Sequence, residues 1–414
     1  MSVVTQSQLL SFAEARRIVE KYAGVSAPTE PELTNLLDAV SLVLAEDLMA
    51  DRDFPPFPRA TRDGFAVLAT DLRSVPARLR NVGSIKAGAS VEDSVVSVVS
   101  GDCVEIMTGA PVPSGADAVV MVEYTQAVGD QVIVNRGVKP GENVVAAGAE
   151  ARRGDVMVPR GTRVHHAVVA IAAAVGRPEL AVHRRPRVAV LATGDELVDI
   201  NLPPGPNEIR NSNTYSLAAQ INEAGGNAAL LPVAHDQADE LALLLGKGLH
   251  ADLLLLSGGV SMGKYDLVEE VLASLGAEFF FTGVAIQPGK PLVFGQVKAD
   301  GQTTPFFGLP GNPVSTMVTF QLFVRPVLDA LGGSKPEPLP FAQAKLKEPF
   351  TTKTGLTRFL PAHLGGTHQD PEVELVRWQG SGDLMAASKA NCYIVVPPGL
   401  GKFEKGEVIS VLLF

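Results

Sequence analysis

The run LLLLSGGVSMGKYD, residues 253–266, constrains this chain more than any other stretch. Four consecutive leucines without polar alternation describe a strand buried on both faces, as in a parallel sheet covered by helices. The run stops on Ser257, Gly258 and Gly259, where paired glycines permit a turn with positive φ and let the backbone approach a ligand. Ser261, Gly263 and Asp266 then fall where free N–H groups, a hydroxyl and a carboxylate meet at a helix entrance. Open α/β sheets bind ligands at that place, phosphorylated ones above all. The plain alternative is a strand–turn–helix whose glycines serve only the turn.

At 414 residues the chain is too long for one ordinary domain, and length argues for roughly two to four. A hydrophobic content of 46% supplies sizeable cores and excludes general disorder. The net charge of −10 argues against broad binding to nucleic acid or anionic membranes. Any anionic ligand therefore needs local Lys, Arg, backbone amides or a metal ion. Cys103 and Cys392 stand alone, in neither CxxC nor zinc-ligand spacing, which fits a reducing compartment. Residues 1–10 lack a basic start and an apolar stretch, and no apolar run approaches membrane-spanning length. The expectation is a soluble, cytoplasmic protein.

Residues 11–21 read as a helix, with Ser11 as cap and Glu14 completing a capping box. Residues 33–50 read as a second, amphipathic helix. The proline-rich DRDFPPFPRATR, 51–62, breaks it, and Asp63-Gly64 before an apolar run reads first as turn chemistry. Residues 80–145 turn to short β segments, among them EIMTGAPVP, where Thr108 and Gly109 end a strand. A further helix, 165–175, follows, so the β module reads as an insertion into a helical unit. The βαβ rhythm begins at 187 and ends in a long helix over 314–331, with Pro313 suited to its first turn. A helix over 214–224, capped by Asn213 or a neighbour, lies within it. GGSKPEPLP is a linker by composition, and the β-rich remainder reads as a small barrel or sandwich.

Parallel strands present their carboxyl ends together. That places TGDE, His235-Asp236, SGGVSMGKYD, PGNP and, close by, QPGKP at one sheet edge. Glu196, Asp236 and Asp266 with a glycine-rich turn are the expected parts of a magnesium-assisted phosphate site. Lys290 offers a point charge to an oxyanion, and Arg358 a two-pronged one.

The motifs TGDEL, SGGVSMGKYD, PGKP and GLPGNPVS, with ATRDGFAV and IMTGAPVP upstream, resemble those of the molybdopterin molybdenumtransferases, the MoeA type also found as the gephyrin E domain. The resemblance runs in one order over essentially the whole chain. It implies an α/β multidomain chain with an elongated helical N-terminal domain, 1–50 and 141–182, and an inserted small β module, 51–140. A MogA-like, three-layer molybdopterin-binding α/β core, 183–332, and a C-terminal β-barrel, 333–414, complete it.

The resemblance further implies a homodimer with shared active sites, in which Asp63 and Thr108 face the α/β crevice of the other subunit. The family reaction takes adenylylated molybdopterin and molybdate, inserts molybdenum at the dithiolene, and releases AMP with magnesium. By this likeness Glu196, Asp236 and Asp266 are the magnesium and substrate acids, and Gly258, Gly259 and Ser261 the pterin-phosphate loop. Lys290, Arg358 and Ser381 form the molybdate end, with Pro310 and Pro313 shaping the pocket. Glu150 stands where many relatives have Asp, and Gly283 and Gln287 where some have lysine. The adenylyltransferase that supplies the substrate and other proteins of the pathway are implied partners. Adenylyl transfer itself, and a non-catalytic gephyrin-like scaffold, are the competing readings.

Overall fold

The computed structural model describes residues 9–88, 96–259, 267–299, 301–335 and 337–414. Its central sheet runs, in spatial order, Asn227–Leu230, Arg187–Ala192, Leu253–Ser257, Gln302–Leu309, Val293–Ala299 and Ala277–Phe281. The first four strands are parallel, and Val293–Ala299 is antiparallel to both its neighbours. The unbroken leucines are explained by the layers on either side. Val188, Val190, Leu253 and Leu255 share one core with Leu217, Ile221 and Val318. Ala189, Leu191, Leu254 and Leu256 share the other with Leu241, Leu245 and Val271. Each leucine is fully buried, worth about 2 kcal/mol relative to exposure. A polar residue at any of the four would face an apolar layer.

The long helix is interrupted. It runs as Pro313–Thr319, a π-helical turn over Phe320–Val324, and Arg325–Leu331. Pro326 has no N–H, so the carbonyl of Leu322 loses its ordinary partner four residues on. The buried Arg16 guanidinium donates to that carbonyl from the N-terminal helix Phe12–Val25. Arg16→Met, which keeps most of the stem, is expected to cost about 2 kcal/mol, read as a lower urea midpoint. Adding Pro326→Ala, which restores an N–H, should recover much of that loss; an unchanged midpoint for Arg16→Met would refute the account. By length and composition Pro313–Leu331 is long and apolar enough to cross a membrane, which a search for unbroken apolar runs overlooks. Its environment is the α/β core, with 78% of that window buried.

The capping box of Ser11 and Glu14 is present, but this helix buries Ala15, Val19 and Ala23 in the α/β core. The amphipathic helix expected over 33–50 does not form. Pro31–Asn35 and Val43–Leu44 instead pair with Glu179–His183, and Leu48–Met49 pairs with Val156–Val158. Two of the leucines that suggested a helical face, Leu33 and Leu37, are exposed. Ser41 adopts φ 71°, which a helix cannot continue through. The strand Glu179–His183 offers a ladder, and Leu42, Leu44 and Leu48 bury against Val164, Val168 and Leu180. Non-local pairing overrides the local pattern.

The expected β module is a six-stranded sheet ordered Ala118–Met121, Gly64–Val67, Asp102–Ile106, Ala77–Ile85, Gln131–Val134, Thr125–Val128. It carries apolar clusters of its own around Phe65 and around Ile106. In the C-terminal unit, Cys392–Val396 pairs with both Val408–Leu413 and Thr357–Gly366, closing the sheet into a barrel. The two-residue strand Ile286–Gln287 of the α/β unit adds to this barrel in parallel, setting Gln287 opposite Arg358.

Candidate active site at the carboxyl edge of the α/β sheet

The parallel strands deliver residues 193–196, His235-Asp236, 257–259 and 310–313 to one edge of the sheet. Because Val293–Ala299 runs the opposite way, its amino end brings the loop 287–291 to the same edge. Five motifs far apart in sequence thus meet by strand direction alone.

The turn at 257–259 is built to come close to its neighbours. Gly258 and Gly259 have φ 88° and 64°. A Cβ on Gly258 would lie 2.6 Å from the Thr193 carbonyl oxygen, and one on Gly259 2.4 Å from Thr193 Oγ1. Any side chain there would force the strands apart. The backbone is pinned on both sides: Thr193 N–H donates to Ser257 O at 3.1 Å, and Gly258 N–H to Leu309 O at 3.2 Å. A Cβ on Gly311 would stand 3.5 Å from Gly258 Cα, so the glycine turns of adjacent strands touch.

The acids crowd one side of this edge. The Glu196 carboxylate folds over Gly194, where an added Cβ would meet it at 2.6 Å. Asp195 accepts the Asp236 N–H at 3.2 Å and lies 3.4 Å from His235 Nδ1. Burial raises the pKa of Asp236, and the negative charges of Asp195 and Glu196 raise it further. Such a field attracts a cation. Among the described residues no group of three metal-binding side chains converges. Asp266, the third expected acid, and Ser261 lie outside the described residues. Asp195 was visible within TGDE but received no role from sequence.

The opposite side is cationic. Arg358 is buried, 7% exposed, and its Nε donates to the Lys353 carbonyl at 2.7 Å. Burial depresses its pKa, and among the described residues no carboxylate pairs with it. A desolvated guanidinium without a carboxylate is suited to an anion from solution. Lys290 occupies the loop alongside, its carbonyl accepting from Val284 at 3.0 Å and Leu292 at 3.1 Å. Ser381 Oγ accepts from Asn312 Nδ2 at 2.9 Å, and its carbonyl from Val314 N–H at 2.9 Å. The barrel is thereby tied to the turn of Pro310 and Pro313, where Thr316 Oγ1 also donates to Pro310 O at 2.6 Å.

In the β module, Asp63 accepts from both the N–H and the hydroxyl of Thr108, each at 2.7 Å. Those donors, the backbone N–H first, hold its carboxyl below the usual range. The pair contributes stability above the ordinary aspartate range, which is lost as pH falls through the depressed pKa. Thr108→Val removes one donor, so the Asp63 pKa should rise toward 3.8 in an NMR titration; no rise would remove the hydroxyl from the pair. Glu150 meets Arg59 at 2.7 Å on an exposed surface. Within one chain, no hydrogen bond or ion pair among the described residues joins Asp63, Thr108 or Glu150 to the sheet edge.

Residues 10–176 match the family model described as MoeA N-terminal region (domain I and II). Residues 189–330 match the probable molybdopterin binding domain, and 343–414 the MoeA C-terminal region (domain IV). A molybdopterin molybdenumtransferase of Bacillus subtilis is 35% identical over 396 residues, covering 93% of this chain and 90% of that protein. The chain belongs to the molybdopterin molybdenumtransferase family. Its Staphylococcus aureus (strain Mu50) member is 32% identical over 417 residues, covering 99% of this chain and 97% of that protein. Two crystal structures of molybdopterin biosynthesis MoeA protein from Pyrococcus horikoshii superpose with TM-scores of 0.73 and 0.80. They are 31% and 26% identical to this chain, cover 98% of it, and are themselves covered over 99% and 100%.

Proposed function

We propose that the chain takes adenylylated molybdopterin and molybdate, inserts molybdenum at the dithiolene, and releases AMP with magnesium. Family membership makes it a transferase of molybdenum cofactor biosynthesis; the substrate form, the metal and the assembly are the proposal. The observation that carries it is the separation, along one sheet edge, of the acids at 195, 196 and 236 from the buried Arg358, which pairs with no carboxylate among the described residues.

The turn at 257–259, bare of Cβ at Gly258 and Gly259, lets its backbone come close to the pterin phosphate. Asp236 and Glu196, with Asp266, would hold magnesium, which would supply positive charge to the phosphate oxygens. The raised pKa of Asp236 supports this role, because a group that resists ionising beside two other acids gains most from a cation. Arg358 and Lys290 hold the oxyanion, with Ser381 beside them. Asp63 and Thr108, exposed and already hydrogen-bonded to each other, complete the site of a partner subunit in a homodimer. The protein works in the cytoplasm, receiving its substrate from an adenylyltransferase.

AMP release should require magnesium and stop when the ion is chelated. Full release in chelator would remove the metal from the reaction. Formation of the adenylylated intermediate from molybdopterin and ATP, without a partner protein, would overturn the assignment in favour of adenylyl transfer.

A further inference from the structure

The side chain of Asn213 opens the helix Asn213–Glu223, yet it does not cap it. Ser212 stands at the cap without a side-chain bond, and Asn211 Oδ1 accepts the Thr214 N–H at 3.3 Å. Asn213 instead reaches across the sheet edge. Its Nδ2 donates to Ser257 Oγ at 2.9 Å and to Gly311 O at 2.7 Å. Both N–H groups are thus spent on the two glycine turns, and Asn312 carries the connection on to Ser381 at 2.9 Å.

A second observation is independent of these bonds. Three buried side-chain atoms lack a hydrogen-bond partner among the described residues: Thr193 Oγ1, Asn213 Oδ1 and Gln220 Oε1. Two of them belong to residues that lie against the turn at 257–259, Thr193 beside Gly258 and Gly259 and Asn213 at Ser257. A buried acceptor without a partner is unfavourable, and an apolar side chain at 213 would avoid that cost. Such violations belong where position outweighs stability.

We propose that Asn213 is a positioning residue that fixes the spacing between the phosphate turn at 257–259 and the turn at 310–313. The inference rests on the functional reading above. It assigns Asn213 no contact with the reacting atoms; the residue acts through Ser257 and Gly311.

The test uses full-length Asn213→Ala and Asn213→Asp, with Gln220→Ala as a control on the same helix. Gln220 Nε2 donates to Met317 O at 3.3 Å, away from both turns. At a temperature where all are folded by circular dichroism, Asn213→Ala should raise KM for adenylylated molybdopterin about tenfold, with kcat changed far less. Asn213→Asp should be worse, since a carboxylate would face the Gly311 carbonyl. Gln220→Ala should lower Tm without moving KM. Amide hydrogen exchange, which needs no ligand, should quicken at 257–259 and 309–314 in the Asn213 variants only. Unchanged exchange, or a KM shift equal in Gln220→Ala, would overturn the clamp. Failure of the unaltered protein to release AMP would instead overturn the functional reading, and the exchange result would still decide the clamp.

Discussion

Arg358→Met is expected to lose about 100- to 1,000-fold of molybdenum insertion at limiting molybdate, while the protein remains at least as stable as its parent. The two signs follow from one observation. The guanidinium is buried, its Nε bonded to a single carbonyl, with no carboxylate among the described residues to compensate its charge. Replacing such a group by an apolar side chain of similar length removes a desolvation cost. The abandoned Lys353 carbonyl belongs to an exposed residue and is free to hydrate. An arginine kept for architecture would behave in the opposite way, as is expected of Arg16, which donates to the buried Leu322 carbonyl. Arg358→Lys retains charge but not the two-pronged geometry, so it should recover only part of the activity, and mainly at high molybdate. Insertion measured against molybdate concentration, beside a urea titration, separates the cases. Normal insertion by Arg358→Met would remove the residue from the anion site.

The second large effect concerns the division of the site between subunits. Asp63→Ala and Asp236→Ala should each reduce activity by about two orders of magnitude, since one removes the β-module acid and the other an acid proposed to hold magnesium. If Asp63 serves the crevice of a partner, a dimer of one subunit of each kind has one doubly damaged site and one intact site. Purified mixed dimers should then regain about half of the unaltered rate. Sites built within single subunits would each carry one lesion, and the mixed dimer would stay inactive. The hydrogen bonds within a single chain make this a sharp question. They join Asp63 to Thr108 and to no residue of the sheet edge among those described.

Much of this arrangement was legible before any coordinates. Unbroken leucines, glycine pairs at strand ends and the proline opening the core helix are short-range signals, and each has a local physical cause. Acids and glycines at strand ends could be grouped because parallel strands share a direction, so Glu196, Asp236, Gly258 and Lys290 reached one edge by topology. The segment 33–50 misled because its leucines repeat with helical spacing while its partner strand, Glu179–His183, lies far away in sequence. The sequence leaves the cap to Asn213 or a neighbour, because an asparagine before an apolar periodic run ordinarily is one. Only the fold shows that Asn211 serves Thr214 and leaves Asn213 free to reach Ser257 and Gly311.

The sequence by itself therefore determined the doubly covered α/β core, the β module, the barrel and the family, along with the residue types at each strand end. These depend on periodicity and backbone chemistry, which act over a few residues. The tertiary structure decided which of those residues are tied together and which are left unpaired. Arg16 supplies the partner that Pro326 cannot, Arg358 is buried with no carboxylate beside it among the described residues, and Asn213 spans two turns. Burial and hydrogen-bond pairing depend on neighbours from distant parts of the chain, and no local pattern encodes them.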